Sequence, residues 1–164
     1  MPKFEHLRHK PPVELSRERQ IILACAPMRS NVNISTIVRT AGCFGIGKII
    51  LCGTNKVDRK IARDGADSVE IENRSSLVPV IKKHKEQGYH AVGLEQTTGS
   101  QSLYSFAFPE KTLLVIGSER DGLKQDVLDQ LDTVVEIPVY GMPYSYNVGT
   151  AASICLYEYC KQHS

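Results

Sequence analysis

The stretch 21-IILACAPMRSNVNISTIVRTAGCFGIGKIILC-52 decides the fold, because it reads strand, helix, strand in quick succession. Ile21–Cys25 is a short β-prone apolar run. Ile34, Ile37, Val38, Ala41 and Phe44 then recur near helical spacing, with Asn33 expected as the N-cap and Gly45 as the stop. Lys48–Cys52 is a second run of buried-strand type. A strand, a helix and a strand of these lengths imply a βαβ unit with parallel strands.

Downstream the alternation continues. Ser75–Gln87 reads as a helix with Leu77, Val78 and Ile81 inside and Lys82, Lys83, Lys85 and Glu86 outside. Ala91–Leu94, Thr112–Ile116 and Val134–Ile137 are three more short apolar runs bounded by turn residues. Val148, Ala151, Ala152, Cys155 and Tyr159 form one stripe of a last helix. The expected class is therefore α/β, a mainly parallel sheet with helices on both faces. Upstream, residues 1–20 are polar, carry Lys3, Arg8, Lys10, Arg17 and Arg19, and contain Pro11-Pro12. They read as a basic N-terminal arm, leaving 21–164 as a single domain.

The chain has 164 residues, a one-domain length that buries roughly two-thirds of the surface an unfolded chain exposes. With 41% hydrophobic and 23% charged residues it is neither disordered nor collagen-like. No window approaches eighteen consecutive apolar residues, and the N-terminus lacks the apolar core of a signal peptide. Five cysteines without CxxC spacing, each in an apolar stretch, read as buried free thiols. The expected location is cytoplasmic, without disulfides, metal or membrane. Net charge is only +2, but residues 1–63 hold 12 Lys and Arg against 4 Asp and Glu, while 64–164 hold 8 against 14. A fold that keeps the basic third on one side presents a patch to phosphates, whereas mixing erases it.

Ligands of such sheets bind where loops leave the carboxyl ends of the strands, so the loops after Leu94, Ile116 and Ile137 draw attention. Gly117-Ser-Glu-Arg-Asp-Gly122 follows an apolar strand, and its two glycines allow close approach of backbone to a ligand. Its bland alternative is a strand-to-helix turn with Glu119 exposed. It matches neither a P-loop nor the dinucleotide fingerprint. The segment Ile137–Gly149 brings Ser145, Tyr146 and Asn147 to a helix N-terminus, and its bland alternative is that Ser145 or Asn147 is merely the cap. On the first helix, Arg39 lies off the apolar stripe, in line with Ser35 and Cys43. It is either a solvated arginine or a fixed charge for a phosphate or polarised oxygen. The histidines follow no catalytic pattern.

Together NISTIVRTAGCFG, LLVIGSERDGL and IPVYGMPYSYNV resemble the three motifs of the SpoU/TrmH family of SPOUT RNA 2′-O-ribose methyltransferases, in order and over about residues 21–162. The resemblance implies a C-terminal trefoil knot, S-adenosylmethionine as cofactor and a homodimer with the first and last helices near its interface. It implies cofactor contacts at Leu94, Gly117, Gly122, Ile137 and Tyr146, with Ser145 and Asn147 lining the pocket. It makes Arg39 the central catalytic residue, with Ser145 beside it and Asn33, Glu119 and Asn147 in support. The substrate implied is structured RNA. The Glu95–Thr97 stretch is most similar to members that modify the tRNA D-loop guanosine, with the wobble ribose next. Two departures stand out: Ser35, where the family often has Gly, and Tyr146, where it has Leu or Met. Tyr146 is expected to narrow the cofactor pocket or stack on the adenine. Two alternatives remain: an inactive RNA-binding or scaffold protein of this fold, and a doubly wound domain for another nucleotide-like ligand.

Overall fold

A computed structural model describes residues 2–164. Its elements in chain order begin with β1 (Ile21–Cys25), α1 (Asn31–Cys43), β2 (Lys48–Cys52), α2 (Arg59–Ala62), α3 (Gly65–Ser68), β3 (Glu70–Arg74) and α4 (Leu77–Glu86). They continue with β4 (His90–Leu94), β5 (Gln101–Ser102), β6 (Thr112–Ile116), α5 (Gln125–Leu128), β7 (Thr133–Glu136) and α6 (Val148–Gln162). One sheet holds all the strands in the order β3-β2-β1-β6-β4-β7-β5. Every pairing is parallel, as the strand–helix alternation requires.

Both faces of the sheet are covered, and the side-chain alternation along each strand sorts the core in two. Leu23, Cys25, Ile49, Leu51, Leu114 and Ile116 face α1 and α6, joining Ile34, Ile37, Val38, Cys155 and Tyr159. Ala24, Ile50, Cys52, Leu113 and Val115 face the other way, onto Leu77, Val80 and Ile81 of α4 and Val127 of α5. Such double burial is why these strands read as unbroken apolar runs. The chain builds β1, β2 and β3 outward in one direction and then crosses to the other side of β1. The strand order therefore reverses beside β1 and β6, and in sheets of this kind ligands bind beyond the carboxyl ends of the strands near such a reversal.

The start of α1 differs from the sequence expectation. Ser30 is the N-cap, in an extended conformation, and its hydroxyl accepts the Asn33 N–H at 3.2 Å. Asn33 thus lies inside the first turn, and its side chain is released for other contacts. Gly45 does stop the helix. At φ +71 it lets Gly45 N–H reach the Gly42 carbonyl and Ile46 N–H the Ala41 carbonyl, a Schellman ending.

Burial pushes the Cys25 thiol up to about 12, helped by the neighbouring Cys52, which burial itself raises to about 11. Cys43 is the exception to the buried set: it is exposed on α1, one turn beyond Arg39. The two charge groups mix in part. Arg17, Lys48 and Arg59 pair with Glu110, Glu72 and Asp67, all acids of the second group. Among the described residues, no helix is long and apolar enough to cross a membrane.

Candidate functional site

At the carboxyl ends of β6, β4 and β7 lies a cleft of about 670 Å³, a size ordinary for small-molecule sites. Leu94, Gly117, Gly122 and Ile137 line it, as do Ser145, Tyr146 and Asn147. The three loops singled out by the sequence therefore meet in one place. Leu94, Ile116 and Ile137 give it an apolar side. Glu95, Glu119, Asp121 and Glu136 line it against Arg120, the one cationic side chain of the lining, so the cleft favours a cationic ligand with an apolar body.

Glu95 and Gln96, which no spacing argument had marked as site residues, hold the cleft together. Glu95 leaves β4 and accepts the Leu123 N–H at 2.9 Å and the Gln96 N–H at 2.9 Å. Gln96 Nε2 donates to the Tyr144 carbonyl at 3.1 Å. Consecutive residues thus tether the loop after β6 and the loop before α6. An acid and an amide directly after a buried strand were the available signal.

The glycines of the 117–122 loop serve this closure rather than ligand approach alone. Ser118 and Gly122 exchange backbone hydrogen bonds at 3.2 and 3.1 Å, folding the loop on itself. A Cβ on Gly117 would meet the Gly122 backbone, with Gly122 Cα at 2.8 Å. Gly122 sits at φ +61, and a Cβ there would run into the Glu95 carboxylate.

Glu119, at the loop's tip, crosses to the start of α1. Its Oε1 accepts from Ser30 N–H and Asn33 Nδ2, each at 3.1 Å, and its Oε2 accepts from Arg29 N–H at 3.0 Å. Partial burial would raise this carboxyl, but the hydrogen bonds from Arg29, Asn33, its own N–H and Ser30 outweigh it and hold the carboxyl below its usual value. Asn147 caps α6 by accepting from Gly149 N–H at 2.9 Å and Thr150 N–H at 3.1 Å. Its Nδ2 also donates to Asn33 Oδ1 at 3.1 Å. Capping and site geometry are therefore one arrangement, not alternatives.

Asn33, Glu119 and Asn147 form a continuous chain on the rim, and Ser145 stands exposed in the cleft lining beside Asn147. Arg39 is not brought into the cleft. It is exposed on α1, outside the lining and, among the described residues, in no ion pair. Ser35, one turn before it, is fully buried: its hydroxyl donates to the Asn31 carbonyl at 2.5 Å and accepts the Asp58 N–H at 2.7 Å. The hydroxyl thus pins the loop after β2 to α1, a contact that glycine could not make.

Residues 20–157 match the SpoU rRNA Methylase family. A mouse protein, tRNA (guanosine(18)-2′-O)-methyltransferase TARBP1, is 31% identical over 149 residues, covering 87% of this chain. The chain spans only 9% of that relative's length. Among solved structures, the Aquifex aeolicus TrmH/SpoU tRNA modifying enzyme superposes with a TM-score of 0.84 at 26% identity, covering 90% of this chain and 77% of its own. The SpoU methyltransferase AviRb from Streptomyces viridochromogenes, in complex with the cofactor AdoMet, gives 0.71 at 26% identity, covering 92% and 60%.

Proposed function

From the premise that the chain belongs to the SpoU rRNA Methylase family, we propose that it is an S-adenosylmethionine-dependent RNA 2′-O-ribose methyltransferase. The observation that carries this is the convergence of the three motif loops on one apolar-sided, carboxylate-lined cleft, with the Asn33–Glu119–Asn147 chain on its rim. That lining suits the adenosyl body and the positive charge of the cofactor. When bound, S-adenosylmethionine supplies an electrophilic sulfonium methyl group.

The protein's part is to orient and to stabilise charge. Leu94, Gly117, Gly122, Ile137 and Tyr146 hold the cofactor, and Ser145 and Asn147 line the same pocket. Ser145 is the hydrogen-bonding neighbour of Arg39 in the catalytic set. Asn33, Glu119 and Asn147 fix the relation of α1 to the cleft; holding the ribose hydroxyl in line with the methyl group is what supplies acceleration, up to about 7–11 kcal/mol for two well-aligned reactants. Arg39, exposed on α1 outside the cleft lining, is assigned the stabilisation of the alkoxide developing on the 2′-oxygen, since a guanidinium stays charged and, among the described residues, it is in no ion pair.

The substrate is structured RNA, with tRNA and its D-loop guanosine first and the wobble ribose next. The name of the mouse relative supports the first choice. The protein works in the cytoplasm, as a domain of residues 21–164 with a trefoil knot and a basic arm at 1–20. It acts as a homodimer through α1 and α6, a reading supported by Val32 and Tyr157, which those helices expose at 56% and 61%. Radiolabelled methyl transfer to unmodified total tRNA and to rRNA, followed by nucleoside analysis, tests the proposal. Label in a 2′-O-methylribose upholds it. No transfer and no cofactor binding would favour the scaffold reading.

A further inference from the structure

The rim of the cleft carries a group of exposed aromatic side chains that the reaction described above does not use. Tyr140 is 85% exposed, Tyr144 73% and Tyr104 70%, with Met142 at 73% between the first two. An open depression formed by Gln96, Val139, Tyr140, Gly141, Met142 and Tyr144 adjoins the cleft and shares Gln96 and Val139 with it. Tyr104, from the turn after β5, reaches the same place: the neighbouring Tyr140 phenol, and more weakly the Tyr146 phenol, raise its pKa.

Large aromatic faces held in water need a reason. Here the loop that holds them is fixed, because Gln96 grips the Tyr144 carbonyl and Pro138 and Pro143 restrict the backbone. The backbone that carries Tyr140 and Tyr144 is thereby held in place beside the cleft. Residues 137–149 contain no charged side chain, so nothing in the loop repels a phosphate backbone. Flat apolar faces with polar edges match unstacked nucleobases, which stack on tyrosine in single-stranded regions of RNA. Because the depression adjoins the cleft and shares Gln96 and Val139 with it, nucleotides flanking a ribose held in the cleft have this rim within reach.

We propose that Tyr104, Tyr140 and Tyr144 form a stacking platform that holds unpaired bases of the RNA beside the target ribose. The inference rests on the RNA methyltransferase reading and assigns the contact that reading leaves open. It places an unpaired base, rather than a helical segment, next to the modified nucleotide.

The test compares the double variants Tyr140→Ala/Tyr144→Ala and Tyr140→Phe/Tyr144→Phe with the wild-type chain, on whichever of total tRNA or rRNA the wild type methylates. The alanine pair should raise the KM for RNA about tenfold or more, since each ring stacks one base. Its kcat, S-adenosylmethionine affinity and melting temperature should stay near wild type. The phenylalanine pair keeps the faces and should stay within about twofold in KM. An unchanged KM in the alanine pair, with an active wild type, overturns the platform and leaves the methyltransferase reading standing. A change of sedimentation behaviour in the alanine pair also overturns it, by making this surface a contact between copies. A wild type that neither methylates nor binds RNA removes the reading itself, and the platform falls with it.

Discussion

Asn147 donates a hydrogen bond to Asn33 at 3.1 Å, joining the cap of α6 to the first turn of α1 across 114 residues of chain. Because Asn33 accepts from Asn147 and donates to Glu119, both ends of its amide are committed. An Asn33→Asp substitution would set a carboxylate oxygen against the Glu119 carboxylate. Thermal melts should show the variant less stable than wild type at pH 7, with the gap narrowing toward pH 4 as one carboxyl protonates. Asn33→Ala, which leaves no repulsion, should lose about 1 kcal/mol of stability and show no such narrowing.

Glu119 itself sets an acid limb. Its carboxyl is held below the unfolded value of about 4.3, so it stabilises the fold above that value and ceases to do so as pH falls through the lower, folded value. Urea titrations of Glu119→Gln should differ most from wild type at neutral pH. The two should converge below about pH 4.

Arg39→Ala should remove methyl transfer by about a hundredfold or more while leaving the fold within about 0.5 kcal/mol. The reason is its exposure and its lack of ion-pair partners among the described residues. Calorimetry with S-adenosylmethionine should give wild-type affinity, since Arg39 lies outside the cleft lining. Turnover near wild type would remove Arg39 from the mechanism.

Gly122→Ala combines a left-handed backbone, costing about 1–2 kcal/mol, with a collision against Glu95. Cofactor affinity should fall with stability. Glu95→Ala frees the space, so in a double-mutant cycle the two substitutions should be less damaging together than their sum. Strict additivity would mean that Glu95 does not press on the loop.

The arm divides at about residue 15. Arg19 Nε donates to the Phe44 carbonyl at 2.6 Å, Arg17 pairs with Glu110 at 2.8 Å, and Leu15 lies where a Cβ on Gly45 would touch it. Removing residues 2–14 should leave the melting temperature unchanged, whereas removing 2–20 should lower it. If Lys3, Arg8 and Lys10 contact RNA phosphates, the shorter deletion should reduce the salt slope of binding by about 2. An unchanged slope would take the arm out of the RNA site.

The parts of the fold that were legible in the sequence are those whose residues are buried on both sides. β1, β2, β4 and β6 announced themselves as apolar runs because helices cover both faces of the sheet, whereas β7 showed only through Val134 and Val135, its residues being mostly half-buried. β3 did not, since Glu70–Arg74 is an edge strand of polar, partly exposed residues, and β5 is only two residues long. At the site, the three loops were legible from glycines and polar residues at strand ends. The Glu95–Gln96 tether was not, because side chain-to-backbone bonds between distant loops leave no periodic trace. Nor was the capping choice, which hung on whether Ser30 or Asn33 turned its oxygen back onto the helix.

The strand order has a consequence for synthesis on the ribosome. β1 pairs with β2 soon after both emerge, but its other neighbour, β6, is made only after α4 and β4, so Ile21–Cys25 waits with one open apolar edge. The growing chain thus passes through a stage in which the position between β1 and β4 in its future sheet is still vacant. Asn147 arrives later still. The cleft therefore cannot be complete until the start of α6 has been made, and partly translated chains lack a finished site.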